Sequence, residues 1–255
     1  MIRQTIRKAF SLAAGTKKES FDDFEPVEFS KADRDVFRYV LSRRLTMASP
    51  QRLVATINAC KHAVHAEIEG DFVECGVWRG GNAIAAKLTF ENYRSDKAVW
   101  LFDTFAGMTE PSSHDTTPFS DRSAAEQFRE ADKGDHIDWC YTSLEDVQAN
   151  FSAAKVDMAG IRFVAGDVCE TLLLPESIPA SISVLRLDTD FYESTKAEME
   201  VLYPRLGAGG SLLIDDFGHW EGARRAVEEY LGKLPARSRP LLHFTDYTGR
   251  MGIKP

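Results

Sequence analysis

The sequence predicts an α/β protein built on a doubly wound, mostly parallel sheet, with extra helices added at the N-terminus. From residue 70 onward, short apolar runs alternate with segments whose apolar residues recur at helical spacing. Several of these runs end in glycine or aspartate, which is typical of strands that lead into ligand-binding loops. The 255 residues are 44% hydrophobic and 27% charged, which is ordinary for a chain that can bury a sizeable core.

An arm precedes the sheet. The basic and apolar residues 1–15 contain no run long enough for a membrane span, and they do not resemble a signal peptide. Residues 16–35 are charged and lack a period, which indicates an irregular arm that folds onto the body. Its aromatic side chains are placed to cover a neighbouring subunit, so we expect a homodimer. They are Phe21, Phe24 and Phe29.

Two helices follow the arm. Residues 33–45 and 50–67 carry apolar residues at helical spacing, and Ser49 with Pro50 makes a suitable N-cap and first turn. No glycine-rich or serine-rich linker divides the remaining chain. We therefore expect an N-terminal arm and helix over residues 1–45 and one domain over residues 46–255.

The alternation then predicts the elements of the sheet in order. Strands are expected at residues 71–77, 98–105, 161–168, 182–191 and 210–217, and the tail from Pro240 adds a final edge strand. Helices are expected at residues 80–93, 123–131, 144–154, 195–206 and 222–234. The polar stretch from Ala106 to Ser123 has no period and is expected to form a mobile lid.

A glycine-rich turn follows the first strand, with the pattern Glu74-x-Gly76-x-x-x-Gly80. Its spacing is not that of a dinucleotide fingerprint, and the acid before the first glycine suits a cationic ligand such as the amino group of S-adenosylmethionine. Asp103, at the end of the second strand, is placed to bind ribose hydroxyls, and Asp167 after the third is placed to bind an adenine amine. The alternatives are packing glycines and, for Asp167, a helix N-cap.

Aspartates also end the next two strands. Asp188 follows the fourth strand, and Asp215 with Asp216 follows the fifth. In neighbouring parallel strands these carboxylates meet at one edge, where their mutual repulsion calls for a cation. Oxygen ligands favour Mg²⁺, with Mn²⁺ as the alternative. Such a metal ion would lower the pKa of a bound hydroxyl. Helix capping or pairing with an arginine remains open; the candidates are Arg186, Arg224 and Arg225.

Several segments together resemble the macrocin O-methyltransferase family, whose members methylate sugar hydroxyls of antibiotics. They are GDFVECGVWRGGNA, LFDTFAGM, the run from LRLDTDF to AVEEY, and DYTGR near the end. The resemblance implies a Rossmann-like class I methyltransferase fold, S-adenosylmethionine and Mg²⁺. It implies Asp188, Asp215 and Asp216 as metal ligands, and Asp188 as the catalytic base.

The resemblance also implies a cofactor site, to which we assign the matching positions and their neighbours. These residues are Met47, Glu74, Gly76, Trp78, Gly80, Asn82, Asp103, Thr104, Asp167 and Val168. The segment Thr46–Ser49 resembles one that closes over the cofactor in the family. The acceptor is expected to be a small hydroxylated molecule.

Two other functions fit the sequence less well. A nicotinamide-dependent oxidoreductase conflicts with the glycine spacing, and an inactive cofactor-binding protein has no need of an aspartate set. His114, His136 or His219 could take the proton instead of Asp188, with His219 best placed. The net charge of -8 disfavours a nucleic-acid partner. The sequence has no run of 18 apolar residues, so we expect no membrane span. Four cysteines without metal-site spacing fit the cytoplasm.

Overall fold

The structure, a computed structural model, describes residues 25–255 and confirms the α/β fold. The strands are β1 Asp71–Cys75, β2 Val99–Asp103, β3 Ile161–Ala165, β4 Ile182–Leu187, β5 Leu206–Ile214, β6 His243–Phe244 and β7 Arg250–Ile253. The α-helices are α1 Lys31–Ser42, α2 Pro50–His65, α3 Gly81–Asn92, α4 Ala124–Ala131, α5 Leu144–Ala154, α6 Val168–Thr171, α7 Tyr192–Val201 and α8 Glu221–Lys233.

The seven strands form one sheet in the order β3-β2-β1-β4-β5-β7-β6. Strands β1 to β5 are parallel, and β7 runs antiparallel to both of its neighbours. The chain builds outward from β1 to β3 and then crosses to the other side of β1 to begin β4. This reversal opens a crevice beyond the carboxyl ends of β1 and β4, which is where such sheets bind ligands.

Helices cover both faces of the sheet, as the doubly wound prediction requires. One hydrophobic core gathers Phe37, Leu53, Ile84 and Phe151 from four helices against one face. A second core places Met199 and other residues of α6, α7 and α8 on the opposite face. Because neighbouring strand residues point to opposite faces, each buried strand contributes to both cores.

Some predicted bounds were wrong for identifiable reasons. The tail forms two strands instead of the single edge strand predicted: β7 lies next to β5, and β6 is the edge strand. Strand β5 begins at Leu206 instead of residue 210, because a short 3-10 turn over Tyr203–Arg205 ends the preceding helix early. Helix α7 begins at Tyr192, three residues before the predicted start, since the chain turns sharply after Asp188.

The N-terminal prediction is partly corrected. Phe29 is buried in the chain's own core and packs edge-to-face on Phe37, so it is not available to cover a neighbour. Phe21 and Phe24 lie outside the described residues. Helix α1 begins two residues before residue 33, with Ser30 as its N-cap, and shares the first core with α3. Among the helices of residues 25–255, none has the length and hydropathy needed to cross a bilayer.

Candidate active site

A cavity of about 480 Å³ lies at the carboxyl edge of the sheet, a volume within the range of small-molecule sites. The strand register explains why the predicted acids meet there. Leu187 pairs with Ile214 and Cys75 pairs with both Phe102 and Leu187, so the residues that follow these strands come level with one another. All the predicted aspartates and Glu74 line this cavity.

Glu74 occupies the floor of the cavity. Its Oε1 accepts a hydrogen bond from the Arg186 guanidinium at 2.9 Å, whereas its buried Oε2 has no hydrogen-bond partner among the described residues. Burial raises the pKa of Glu74 to about 8, with Arg186 opposing the shift and Asp188 and Asp103 adding to it. A buried acceptor of this kind carries an energetic cost unless a donor reaches it, so it fits a ligand ammonium group.

The glycines of the turn have different roles. Gly76 has a φ of +81°, and a Cβ there would lie 2.0 Å from the Asp188 carbonyl oxygen, so glycine lets β1 and β4 end side by side. Gly80 is the only predicted cofactor residue that does not line the cavity. It starts α3 with a φ of +84°, and a Cβ there would meet Phe151 at 2.8 Å.

Asp103 and its neighbour Thr104 are tied into the turns around them. The Asp103 carboxylate accepts backbone N–H donors from Val77, Trp78 and Phe105 at 2.6 to 3.2 Å. Burial raises the pKa of Asp103 despite these bonds. The Thr104 hydroxyl donates to the Gly107 carbonyl at 2.6 Å. Both side chains still line the cavity, where Asp103 Oδ1 and the Thr104 hydroxyl each accept one hydrogen bond and retain a lone pair for a ligand.

Asp167 and Val168 form another part of the wall. Asp167 is the N-cap of α6, and its Oδ1 accepts the Cys169 N–H at 2.8 Å. The cap that was weighed as an alternative is therefore present, and Asp167 nevertheless lines the cavity beside Val168. One carboxylate can do both because each of its oxygens accepts more than one hydrogen bond.

The segment Thr46–Ser49 lies across the cavity. Met47 is 57% exposed and lines the cavity with Thr46 and Ala48. Asn82 fixes this segment, since its Nδ2 donates to Thr46 Oγ1 at 3.1 Å and its Oδ1 accepts from Thr56 at 3.0 Å. The side-chain amide of Asn82 is therefore engaged by the protein itself.

The three aspartates predicted to bind a metal do converge. Each of Asp188, Asp215 and Asp216 offers an oxygen, and these oxygens all lie within 4.8 Å of one another. Two arginines already neutralise part of the set. Arg186 donates to Asp188 Oδ2 at 2.6 Å and to Asp215 Oδ1 at 2.5 Å, and Arg52 donates to Asp215 Oδ2. Of the arginines considered from the sequence, Arg186 therefore pairs with the set, alongside Arg52, which was not foreseen.

Asp190 is a cavity residue that the sequence interpretation left outside the set. It adopts a left-handed φ of +66°, which turns its side chain back to the cavity. Asp216 and Trp220 are its neighbours in the cavity lining. Burial raises the pKa of Asp190 and of Asp216, and Asp188 adds to both shifts. The Asp-Thr-Asp motif after β4 is the sequence signal that could have found it.

The cavity mouth is aromatic. His219 stacks on Phe119, with ring centroids 5.2 Å apart, and Tyr247 packs edge-to-face on Phe119 at 5.4 Å. Phe119 and Tyr247 are 58% and 57% exposed. Burial and the nearby Arg52 lower the pKa of His219, so its imidazole is neutral at pH 7. Trp139 and Phe119 also line the cavity, and no sequence motif predicts either residue as part of the site.

The other two histidines lie elsewhere. His114 contacts Arg225 at 3.1 Å and packs against Tyr192, and His136 pairs with Asp135. Neither lines the cavity. The loop that carries His114 is held by buried Asp115, whose Oδ1 accepts the Tyr192 N–H at 2.7 Å.

The charge of the cavity favours cationic ligands. Seven carboxylates line it, while Arg52 is the one arginine or lysine among its lining residues. Buried Asp216 Oδ2 has no partner among the described residues, as is the case for Glu74 Oε2. Two unpartnered acceptors within an acidic cavity fit a cofactor with positive charge and a divalent cation bound by oxygen.

Comparisons with known proteins show which proteins this chain resembles. A family model described as macrocin O-methyltransferase matches residues 4–243. One relative is a tetracenomycin 4'-O-methyltransferase from Streptomyces olivaceus, whose name gives a dimethoxy-rhamnosyl derivative as its substrate. It is 35% identical over an alignment that covers 74% of this chain and 68% of the relative. Mycinamicin III 3''-O-methyltransferase from Micromonospora griseorubida is 34% identical over 72% of this chain and 69% of the relative. The structure of the O-methyltransferase NovP superposes with a TM-score of 0.69, at 28% identity over 82% and 81%.

Proposed function

The chain belongs to the macrocin O-methyltransferase family and is an S-adenosylmethionine-dependent O-methyltransferase, and from this premise we propose that it methylates a sugar hydroxyl of a natural product with the help of a divalent metal. The observation that carries the metal proposal is the convergence of oxygens from Asp188, Asp215 and Asp216 within 4.8 Å. Mg²⁺ is the proposed ion, with Mn²⁺ as the alternative.

The cofactor residues have distinct proposed roles. Glu74 Oε2 accepts a hydrogen bond from the cofactor ammonium group, and Gly76 lets the cofactor approach the turn. Asp103 binds the ribose hydroxyls beside Thr104, and Asp167 with Val168 contacts the adenine. Met47 and Trp78 cover the cofactor from the rim. Support comes from the unpartnered Glu74 oxygen and from the place of these side chains in one cavity.

Gly80 and Asn82 have supporting roles in this proposal. Gly80 allows the turn into α3, and Asn82 ties the Thr46–Ser49 segment to that helix. Both therefore act on the cofactor through the backbone that they position.

The aspartate set would hold the metal ion, which when bound lowers the pKa of the acceptor hydroxyl. Asp188 takes the hydroxyl proton in our proposal, because one of its oxygens is held by Arg186 while the side chain stays accessible from the cavity. Neutral His219 at the mouth is the alternative acceptor of that proton. The cavity walls hold the hydroxyl in line with the methyl group, and this positioning supplies much of the rate.

The acceptor is proposed to be an uncharged glycoside. The exposed rings of Phe119 and Tyr247 present apolar surface at the mouth, which suits the apolar face of a sugar or of an attached ring system. A nucleotide sugar fits less well, since Arg52 already pairs with Asp215 and Asp246 and the other lining residues offer a diphosphate no lysine or arginine.

The test is a methyl-transfer assay with S-adenosylmethionine and three acceptor classes: a neutral rhamnosylated polyketide, a nucleotide-activated deoxysugar and a simple catechol. Mass spectrometry follows the gain of one methyl group. We expect transfer to the neutral glycoside, loss of transfer in EDTA and recovery with Mg²⁺. Undiminished transfer in EDTA would refute the metal proposal, and preference for the nucleotide sugar would refute the acceptor proposal.

Three further proposals concern the domain boundary, the oligomeric state and the location of the protein. We propose a division into residues 1–45 and residues 46–255, a homodimer, and a cytoplasmic location. Limited proteolysis checks the boundary, and light scattering checks the dimer. The burial of Phe29 in its own chain leaves Phe21 and Phe24 as the aromatic residues of the arm for such contacts.

A further inference from the structure

The turn between β6 and β7 contains the motif DYTGR, residues 246–250, of which only Tyr247 has a role above. Asp246 is the centre of this turn. Its Oδ1 accepts the backbone N–H groups of Thr248 and Gly249 at 3.0 and 2.6 Å. Its Oδ2 accepts from the Ser49 hydroxyl at 2.5 Å and from Arg52 Nε at 2.9 Å. The turn is thus hydrogen-bonded to the start of α2 through Ser49 and Arg52.

The same turn also touches the aspartate set. The Thr248 hydroxyl donates to the Asp215 carbonyl oxygen at 2.7 Å. A Cβ on Gly249 would lie 2.9 Å from the Arg52 side chain, so glycine lets that side chain lie over the turn. Arg52 reaches from Asp246 to the cavity, where its Nη1 donates to Asp215 Oδ2.

Asp215 therefore has no free oxygen. Arg186 holds its Oδ1 and Arg52 holds its Oδ2. The two arginines differ in their surroundings. The Arg186 side chain is 2% exposed and is shared by three carboxylates, whereas the Arg52 side chain is 13% exposed, lies in the cavity wall and has Asp246 as a second partner. Either arginine keeps a carboxylate partner if it releases Asp215, but only Arg52 lies in the cavity wall and is partly exposed, so moving it away from Asp215 costs less than moving the fully enclosed Arg186.

We propose that Arg52 is a tethered counter-ion that competes with a divalent cation for Asp215 Oδ2, and that Asp246 retains Arg52 when it releases Asp215. Arg52 and Asp246 are then positioning residues for the metal site rather than catalytic ones. The inference rests on the metal site of the proposed function. It assigns the DYTGR turn a role in setting how strongly that site binds metal.

Competition and simple support predict opposite results for one substitution. If Arg52 competes, Arg52→Gln frees Asp215 Oδ2 and tightens metal binding. If Arg52 only supports the local structure, Arg52→Gln loosens it. Under competition Asp246→Asn weakens metal binding, because the full charge of Arg52 then falls on Asp215. Each effect is on the order of tenfold, the size expected when one charge is removed beside a partly buried partner.

The experiment is Mn²⁺ binding to the full chain without substrate, followed by electron paramagnetic resonance of free Mn²⁺. The proteins are the unsubstituted chain, Arg52→Gln, Arg52→Lys, Asp246→Asn and the double variant Arg52→Gln/Asp246→Asn. Arg225→Gln and Asp135→Asn are matched controls, because both side chains are exposed and outside the cavity. Circular dichroism checks that each variant is folded.

We expect Arg52→Gln to bind Mn²⁺ about tenfold more tightly, Asp246→Asn about tenfold more weakly, and Arg52→Lys and both controls within about twofold of the unsubstituted chain. The double variant should match Arg52→Gln, since Asp246 acts through Arg52. This last result also separates the effect from a general loosening of the turn.

Two failures are distinguishable. If the unsubstituted chain binds Mn²⁺ and Arg52→Gln binds it equally or more weakly, the competition is refuted while the metal site stands. If neither the unsubstituted chain nor Arg52→Gln binds Mn²⁺, the metal site and the competition are both refuted.

Discussion

Two groups of buried acids in this chain have opposite environments. Asp33, on α1, is 1% exposed and completely partnered. Its carboxylate accepts from Lys61 Nζ at 2.8 Å, from the Ser30 N–H at 2.9 Å and from the Tyr93 hydroxyl at 3.3 Å. Burial alone would raise the pKa of Asp33, but the bonds from Lys61 and Ser30 outweigh burial and lower it.

Two of the cavity acids are incompletely partnered. Glu74 Oε2 and Asp216 Oδ2 are buried without a hydrogen-bond partner in the described part of the chain. Burial raises the pKa of both residues, and neighbouring carboxylates add to the rise. The folded chain thus completes the carboxylate of Asp33, which joins helices, and leaves one oxygen of Glu74 and one of Asp216 in the cavity without a partner. Glu198 Oε2 is also buried without a partner among the described residues, but it does not line the cavity. An unpartnered acid that lines the cavity indicates a place for a ligand, and a partnered buried acid such as Asp33 indicates a structural bond.

The largest expected effect comes from the cavity group. Asp215→Asn or Asp216→Asn should lower the rate of methyl transfer by roughly a thousandfold or more, because a carboxylate metal ligand is lost. Cofactor affinity, measured by isothermal titration calorimetry, should change by less than about threefold. Asp135→Asn is the control. An active Asp216→Asn variant would show that the cavity acids are not distinguished by function.

The next effect comes from the partnered group. Asp33→Asn should lower the free energy of unfolding by about 3 kcal/mol, because Lys61 loses its partner in a largely buried position. Urea unfolding followed by circular dichroism measures this change. The methyl-transfer rate per folded molecule should stay the same. A stability loss below about 0.5 kcal/mol would mean that Asp33 is not the structural bond that its contacts indicate.

Glu74→Gln should have the opposite effects to Asp33→Asn: it should weaken cofactor binding and stabilise the fold. Cofactor affinity should fall about tenfold to a hundredfold, since a charged acceptor for the ammonium group becomes neutral. Without cofactor, the variant should gain about 1 kcal/mol in unfolding free energy, because a buried carboxylate with a raised pKa is removed while Arg186 keeps its two aspartates. Calorimetry and urea unfolding check the two halves. Loss of stability in Glu74→Gln would show that Glu74, like Asp33, makes a structural bond.

The smallest effect is on the pH dependence of stability. The pKa of Glu74 rises from 4.5 to about 8 on folding, so the folded chain binds more protons than the unfolded chain between these values. The contribution of Glu74 to stability is therefore present below pH 4.5 and lost as the pH rises through 8. Asp33 has the opposite sign: its contribution is present above pH 3.8 and lost as the pH falls through its lowered pKa.

Unfolding free energies measured without cofactor from pH 5 to 8 test this difference. The unsubstituted chain should lose more stability across this range than Glu74→Gln, and Asp33→Asn should run parallel to the unsubstituted chain. Identical slopes for the unsubstituted chain and Glu74→Gln would contradict the raised pKa of Glu74.

Much of the cavity was predictable because strand ends are a local property of the sequence. The apolar runs located Glu74, Asp103 and Asp188, and parallel pairing then implied a common edge. Arg52 was not predictable in this way. It lies 163 positions from Asp215, and its only sequence signal is a place in the first turn of a helix whose start faces the cavity.

Asp190 and Phe29 show the same limit from two sides. No local pattern shows where Asp190 points, and a left-handed φ turns its side chain into the cavity. Phe29 was assigned to a contact with a neighbour, but it is buried in the core of its own chain. Backbone dihedral angles and the partners of an aromatic residue depend on packing that no local pattern records.

The sequence by itself determined the α/β fold, the acids at the strand ends and, through its motifs, the family. Hydrophobic periodicity and glycine spacing encode these features over a few residues at a time. The tertiary structure alone decided which acids are completed and which are left open. That distinction depends on whether a donor from a distant element, such as Lys61 for Asp33 or Arg52 for Asp215, comes within hydrogen-bonding distance.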